Sequence, residues 1–191
     1  MRFELESANI NKVAVKGKEK YFIDTNVWFW FVGGGVNGQS GKAYQILDYP
    51  KFIERILDAG ARMYHSSLTL AELAHIIERE EYKRRHPSKD IGIKKFRENT
   101  EARKLIIGAV RTGWQSICTV SECLDERLGN DFSNSVLEFL DGAELDSYDA
   151  VYCALMSKHG ISNIVTDDAD FMKVDGISLL TANQNVLAVK F

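Results

Sequence analysis

Four acidic positions in this chain stand where a short apolar segment ends or a helix begins. Asp24 follows Tyr21-Phe22-Ile23, Glu72 sits in Leu70-Ala71-Glu72-Leu73, Asp149 in Ser147-Tyr148-Asp149-Ala150, and Asp168 follows Ile164-Val165-Thr166-Asp167. Carboxylates beside apolar segments are costly unless something positive neutralises them. A hard divalent cation does so with oxygen ligands, and it points toward phosphodiester chemistry. Each position taken alone has an ordinary explanation. Asp24-Thr25-Asn26 is good turn chemistry, and Thr69-x-x-Glu72 fits a capping box. Asp149 falls at N3 of a helix capped by Asp146, where a carboxylate meets free amides. The four in this order share no such explanation. Asp167 and Asp168, being adjacent, point in different directions, so at most one faces a site squarely. Asp170 reads as the cap of a short turn at Phe171-Met172.

These acids can act together only if the elements around them converge. Tyr21 to Asp24 reads as a short, fully buried strand, because its apolar run does not alternate. Val27 to Val32 reads as the first turns of a buried helix, broken by Gly33-Gly34-Gly35. The connection from Gly33 to Gly41 follows Asp24 closely enough to gate a site, but it lacks the spacing of a phosphate-cradling loop. Phe52, Ile53, Ile56 and Leu57 place a helix over Tyr49 to Ala59, closed by Gly60. Ala61 to Ser66 is a strand, and Thr69 to Arg85 is a long helix ended by Pro87. Residues 91–112 form one or two helices, and Ile117 to Val120 a strand. Helices follow at Asp131 to Leu140 and Ser147 to His159, the latter with Asp146 as N-cap and Gly160 at C′. Asn163 to Thr166 and Ile177 to Thr181 are strands. Strands alternating with helices argue for an α/β fold, a parallel sheet covered on both faces, whose chemistry gathers at the carboxyl ends of the strands.

At 191 residues, 45% apolar and 27% charged, the chain fits one domain over 1–191. Residues 1–20 form an N-terminal arm or an edge strand at Val13-Ala14-Val15. Residues 86–112 form a basic helical segment. No uncharged apolar run approaches the roughly 18 residues of a membrane span, and Met1-Arg2-Phe3-Glu4 does not open a secretory signal. Cys118, Cys123 and Cys153 lack disulfide or zinc spacing, so a reducing cytoplasm is expected. His65, His75, His86 and His159 show no metal-ligand spacing. Trp28, Trp30 and Trp114 read as core residues rather than base-stacking platforms. The net charge of −3 hides an asymmetry: Lys83 to Arg111 holds ten Lys/Arg against three Asp/Glu. Such a segment is either a solvated helical surface or a means of steering a polyanion to a carboxylate site.

Four segments together resemble the PIN-domain nucleases, among them the VapC-like toxin ribonucleases: Tyr21-Phe22-Ile23-Asp24-Thr25-Asn26-Val27, Leu70-Ala71-Glu72-Leu73, Ser147 to Leu155 followed by Gly160, and Ile164 to Phe171. The resemblance spans roughly residues 21–181. It implies a three-layer α/β/α domain with a short parallel sheet that cuts RNA with Mg²⁺ or Mn²⁺. It also implies a protein antitoxin and a homodimer as partners, as for many small members. On this resemblance Asp24, Glu72, Asp149 and Asp168 are the catalytic acids, with the metal on Asp24, Asp149 and Asp168. Glu72 then completes the cluster or orients the attacking water. Thr25, Asn26, Thr166 and Asp167 support them, and Lys83, Arg84, Arg85, Lys94, Lys95 and Arg97 are the RNA-binding candidates. Two other readings compete. A haloacid-dehalogenase-like phosphatase needs a second Asp two residues after the first, where this chain has Asn26. A catalytically inactive RNA-binding or scaffold module is expected to have lost acids, and all four are present.

Overall fold

Alternate residues of Tyr21-Phe22-Ile23 enter two different cores, Tyr21 and Ile23 one and Phe22 the other. That is why the run carries no polar side chain: it is the middle strand of a sheet buried on both faces. The computed structural model describes residues 7–33, 41–127 and 129–189. Strands β1 (Ser7–Asn9), β2 (Lys20–Ile23), β3 (Arg62–Ser66), β4 (Glu122–Leu124), β5 (Asn163–Val165) and β6 (Ser178–Thr181) form one sheet in the order β1-β6-β5-β2-β3-β4. Every pairing is parallel. The helices are α1 (Thr25–Phe31), α2 (Ala43–Asp58), α3 (Leu68–Arg85), α4 (Ile93–Phe96), α5 (Thr100–Val120), α6 (Asn130–Gly142), α7 (Ser147–Lys158) and α8 (Gln184–Leu187), with a 3₁₀ turn at Asp170–Lys173. Residues of α1, α2, α3 and α5 build the core on the Tyr21 face, and residues of α6, α7, the 3₁₀ turn and α8 build the other. The result is the three-layer α/β/α arrangement expected from the sequence. None of the described helices is long and apolar enough to cross a membrane.

Two helix ends set strand positions. Gly60 and Gly160 adopt φ of 66° and 60°, the left-handed region open to glycine. At each, the following residue reaches back across the helix end, Ala61 N–H to Ile56 O at 3.1 Å and Ile161 N–H to Met156 O at 2.9 Å. This is the Schellman closure, and it delivers the chain into β3 and β5 within two residues.

Three expectations are corrected. Ile117 to Val120 is not a strand but the last turn of α5; the strand is β4, just after it. Ala102, Ile106, Val110, Gly113 and Ile117 are all buried, a helical stripe that outweighs the β-branched composition of the segment. The helix over Tyr49 to Ala59 begins earlier, at Ala43, and continues through Pro50. Its start is secured by Lys42 N–H donating to Gln45 Oε1 at 2.8 Å, half of a capping box. The edge strand of the N-terminal arm lies at Ser7–Asn9, where it pairs with β6, while Val13 and Val15 pack against the core without strand pairing. Residues 1–6 of the arm and 34–40 of the glycine connection lie outside the described residues.

Candidate active site

Strand β2 passes into α1 through a single residue. Asp24 N–H still bonds to Val165 O of β5 at 3.1 Å, and Asp24 is already the N-cap of α1. Its carboxylate therefore sits at the carboxyl edge of the sheet's centre, only 4% exposed. Three donors hold it: Thr25 N–H on Oδ1 at 2.6 Å, and Thr166 Oγ1 at 2.6 Å and Asn26 Nδ2 at 2.5 Å on Oδ2. Burial nevertheless dominates. Together with the charges of Glu72 and Asp168, it overcomes those donors and pushes Asp24 up to about 7.

Asp149 occupies the first turn of α7, where Asp146 accepts from Tyr148 N–H at 2.8 Å and Asp149 N–H at 3.0 Å. The N-cap and N3 positions expected from the sequence are the ones observed. With its carboxylate turned into the protein, Asp149 is pushed up to about 8, first by burial and then by Asp24, Asp146, Asp168 and Glu72. Asp168 is exposed beyond β5, its N–H bonded to Thr166 Oγ1 at 3.0 Å. Thr166 thus orients Asp24 by its proton and anchors Asp168 by its lone pair. Carboxylate oxygens of Asp149, Asp168 and Asp170 lie within 4.8 Å of one another. Asp170, expected only to cap a turn, belongs to this group.

Glu72 does not take part in a capping box. Helix α3 starts at Leu68, Thr69 Oγ1 accepts from Ser66 N–H, and the Glu72 carboxylate instead accepts from Tyr152 Oη at 2.6 Å. Asp167 turns away from the acids toward α2, where Gln45 Nε2 and Tyr49 Oη donate to it at 2.7 and 2.8 Å. Its N–H meets Asn26 Oδ1 at 3.2 Å, so it braces the loop.

The acids fit a divalent cation. Among the described residues no Lys or Arg lies within ion-pair distance of Asp24, Glu72, Asp149 or Asp168; Asp170 alone meets one, Lys173 at 3.8 Å. The contrast is Glu78, an acid as buried as Asp24 and Asp149, which receives Arg97 at 2.6 Å and Arg103 at 3.7 Å and is held below the usual carboxylate range. The chain neutralises one buried acid with arginine, and among the described residues it sets none beside Asp24 or Asp149.

The basic segment is more fully paired than its sequence implies. Lys83 meets Glu80, Arg84 and Arg85 both meet Glu81, and Arg97 meets Glu78. Lys94 and Lys95 have no ion pair among the described residues. Lys83 also lines a groove of about 820 Å³ together with Asp168, Lys42, Trp30, Asn183 and Asn185. Trp28 is core, as expected, and Trp114 packs edge-on against buried His65 at 5.0 Å. Trp30 differs in being only half-buried and reaching the groove. Three contributors went unread in the sequence: Asp170, Tyr152 and Lys42. The signal for the first was the spacing Asp168-x-Asp170, and for the second a position one helical turn after Asp149; Lys42 gave none.

The PIN-domain family pattern matches residues 21–177. No curated protein matches the chain. Among solved structures, a chain of VapBC2 from Rickettsia felis, bound to a DNA fragment from its promoter, is similar with a TM-score of 0.51 at 12% identity, over 85% of this chain and 98% of that one. VapC20 of Mycobacterium tuberculosis, a toxin cleaving the sarcin-ricin loop, is similar with a TM-score of 0.47 at 19% identity, over 79% of this chain and 92% of that one.

Proposed function

The chain belongs to the PIN-domain family, and from that premise we propose that it is a metal-dependent endoribonuclease, acting as the toxin of a toxin–antitoxin pair and working as a homodimer. The observation that carries the nuclease reading is the pair of buried carboxylates, Asp24 and Asp149, with no Lys or Arg in ion-pair distance of them among the described residues.

In this reading Asp24, Asp149 and Asp168 hold the ion, with Asp170 beside them and Glu72 placed to orient the attacking water. Mg²⁺ or Mn²⁺ bound there would acidify that water and offset charge on the phosphoryl oxygens. Thr166 and Asn26 fix which lone pairs of Asp24 face the site, and Asp167 keeps their loop in place by bonding to α2. Burial excludes water from Asp24 and strengthens every interaction made there. The RNA strand follows the groove from Asp168 past Lys42 and Lys83, with Lys94 and Lys95 as outlying phosphate contacts. Arg84, Arg85 and Arg97 serve chiefly as internal ion-pair partners.

The test is cleavage of a mixed single-stranded RNA pool with Mn²⁺ or Mg²⁺, against EDTA and against Asp24→Asn and Asp168→Asn. Metal-dependent cutting lost in both variants is expected. No cutting, together with no rise in melting temperature on adding metal, would overturn the proposal in favour of an inactive RNA-binding or scaffold module.

A further inference from the structure

The geometry points to Tyr152 as a positioning residue that holds Glu72 at the acidic cluster, an inference that rests on the metal-dependent reading above. Tyr152 is fully buried on α7, one turn beyond Asp149, with its ring against Phe22 at 5.0 Å between centroids. Its hydroxyl leaves that core, donating to Glu72 Oε2 at 2.6 Å and lying 3.1 Å from Thr25 Oγ1. A phenol has one proton and a carboxylate only accepts. With the Tyr152 proton given to Glu72, the Thr25 hydroxyl must donate to Tyr152. The chain Thr25 to Tyr152 to Glu72 is therefore directed, and it joins α1, α7 and α3, the helices that carry or adjoin Asp24, Asp149 and Glu72.

The physical need for such a tie is specific. Glu72 is close enough to Asp24 and Asp149 for its charge to act on both, and like charges drive it away. Its side chain is long and half-exposed, so water offers it an easy alternative. Among the described residues Tyr152 is the sole side-chain donor to it. Phenylalanine would fill the same core volume, and a buried hydroxyl is costly unless bonded. The oxygen at this position therefore has its use outside the core, at the acid.

The experiment is calorimetric titration of Mn²⁺ into the whole protein and its variants Tyr152→Phe, Glu72→Asp, Glu72→Gln and the Tyr152→Phe/Glu72→Gln double. Glu72→Asp keeps the charge but shortens the reach to Tyr152, so it tests the idea even if Tyr152→Phe fails to fold. We expect Tyr152→Phe and Glu72→Asp each to weaken Mn²⁺ about tenfold or more, as loss of an outer partner does at metal sites. The double variant should bind no more weakly than Glu72→Gln alone. In RNA cleavage, Tyr152→Phe should lower kcat and leave KM unchanged. Wild-type Mn²⁺ affinity in both Tyr152→Phe and Glu72→Asp, or losses that multiply in the double variant, would overturn it. A wild type that binds Mn²⁺ but cuts no RNA refutes the nuclease reading alone, because affinity is read without turnover. A wild type that binds no Mn²⁺ overturns both.

Discussion

Replacing Asp24 by Asn should change the protein's stability in opposite directions at the two ends of the pH range when metal is absent. The usual carboxylate value of 3.8 is raised to about 7 in the fold. Between those values the folded chain keeps a proton that the unfolded chain has released. Stability is then complete below about pH 4 and is lost as pH rises through about 7. At roughly 1.4 kcal/mol per pH unit, the ionised carboxylate costs the fold about 4 kcal/mol by pH 8. Asn removes that cost but introduces another. Its amide must set an NH₂ against either Thr25 N–H or Asn26 Nδ2, both donors to Asp24 now, a conflict worth about 1–3 kcal/mol. The Thr166 hydroxyl can turn and escape it. The variant should therefore be less stable than wild type by about 1–3 kcal/mol at pH 4 and more stable by a similar amount at pH 8. In a chain of this length roughly 2–4 °C of melting temperature follows each kcal/mol. Thermal unfolding by circular dichroism in EDTA, from pH 4 to 8, reads the crossing directly. A variant less stable than wild type by the same amount at every pH would refute the reasoning and make Asp24 an ordinary hydrogen-bonded turn residue.

Metal should invert the high-pH result: at a hundredfold excess over Kd, Mn²⁺ should stabilise wild type by about 2.7 kcal/mol and Asp24→Asn by much less, measured as melting shifts at pH 8. Arg97→Ala should destabilise the fold at pH 7, because buried Glu78 then keeps only Arg103 at 3.7 Å. Since Arg97 holds the Glu78 pKa down, that contribution is present above the usual carboxylate range and fades as pH falls below it, so urea unfolding at pH 7 and pH 3 should show the gap close. Lys42→Ala should weaken RNA binding to Asp168→Asn and reduce the salt slope by about one, while Arg84→Ala, already neutralised by Glu81, should leave that slope unchanged in the same filter-binding assay.

What the sequence disclosed and what it hid divide along a physical line. Tyr21 to Asp24, Asp146 to Gly160 and the strand before Asp168 were legible because local rules govern them: a fully apolar run, an Asx N-cap, a glycine at C′. Ile117 to Val120 misled because its β-branched residues speak locally, whereas the stripe that begins at Ala102 speaks over several turns. The first turns of α2 went unread because the apolar stripe used to place it begins only at Phe52, whereas the helix runs from Ala43 through Pro50. At the site, Asp24, Asp149 and Asp168 stood out as acids at element ends. The partners that give them their chemistry are remote in sequence: Thr166 on Asp24, Tyr152 on Glu72, Gln45 and Tyr49 on Asp167. The pairing of Arg97 with Glu78 was hidden likewise, and it changes a surplus of charge into a fastening between α3 and the end of α4.

The strand order also has a consequence for timing. Strand β2, with Asp24 at its tip, lies between β3 and β5, so one flank stays open until β5 has been synthesised. Asp24 leaves the ribosome early and Asp168 late, an interval of about 7–30 s at typical rates of chain growth. Throughout it, the nascent chain holds one acid with neither Val165 nor Thr166 to lock it in place. On the nuclease reading, a chain built in this order has no complete acidic site until its last third arrives.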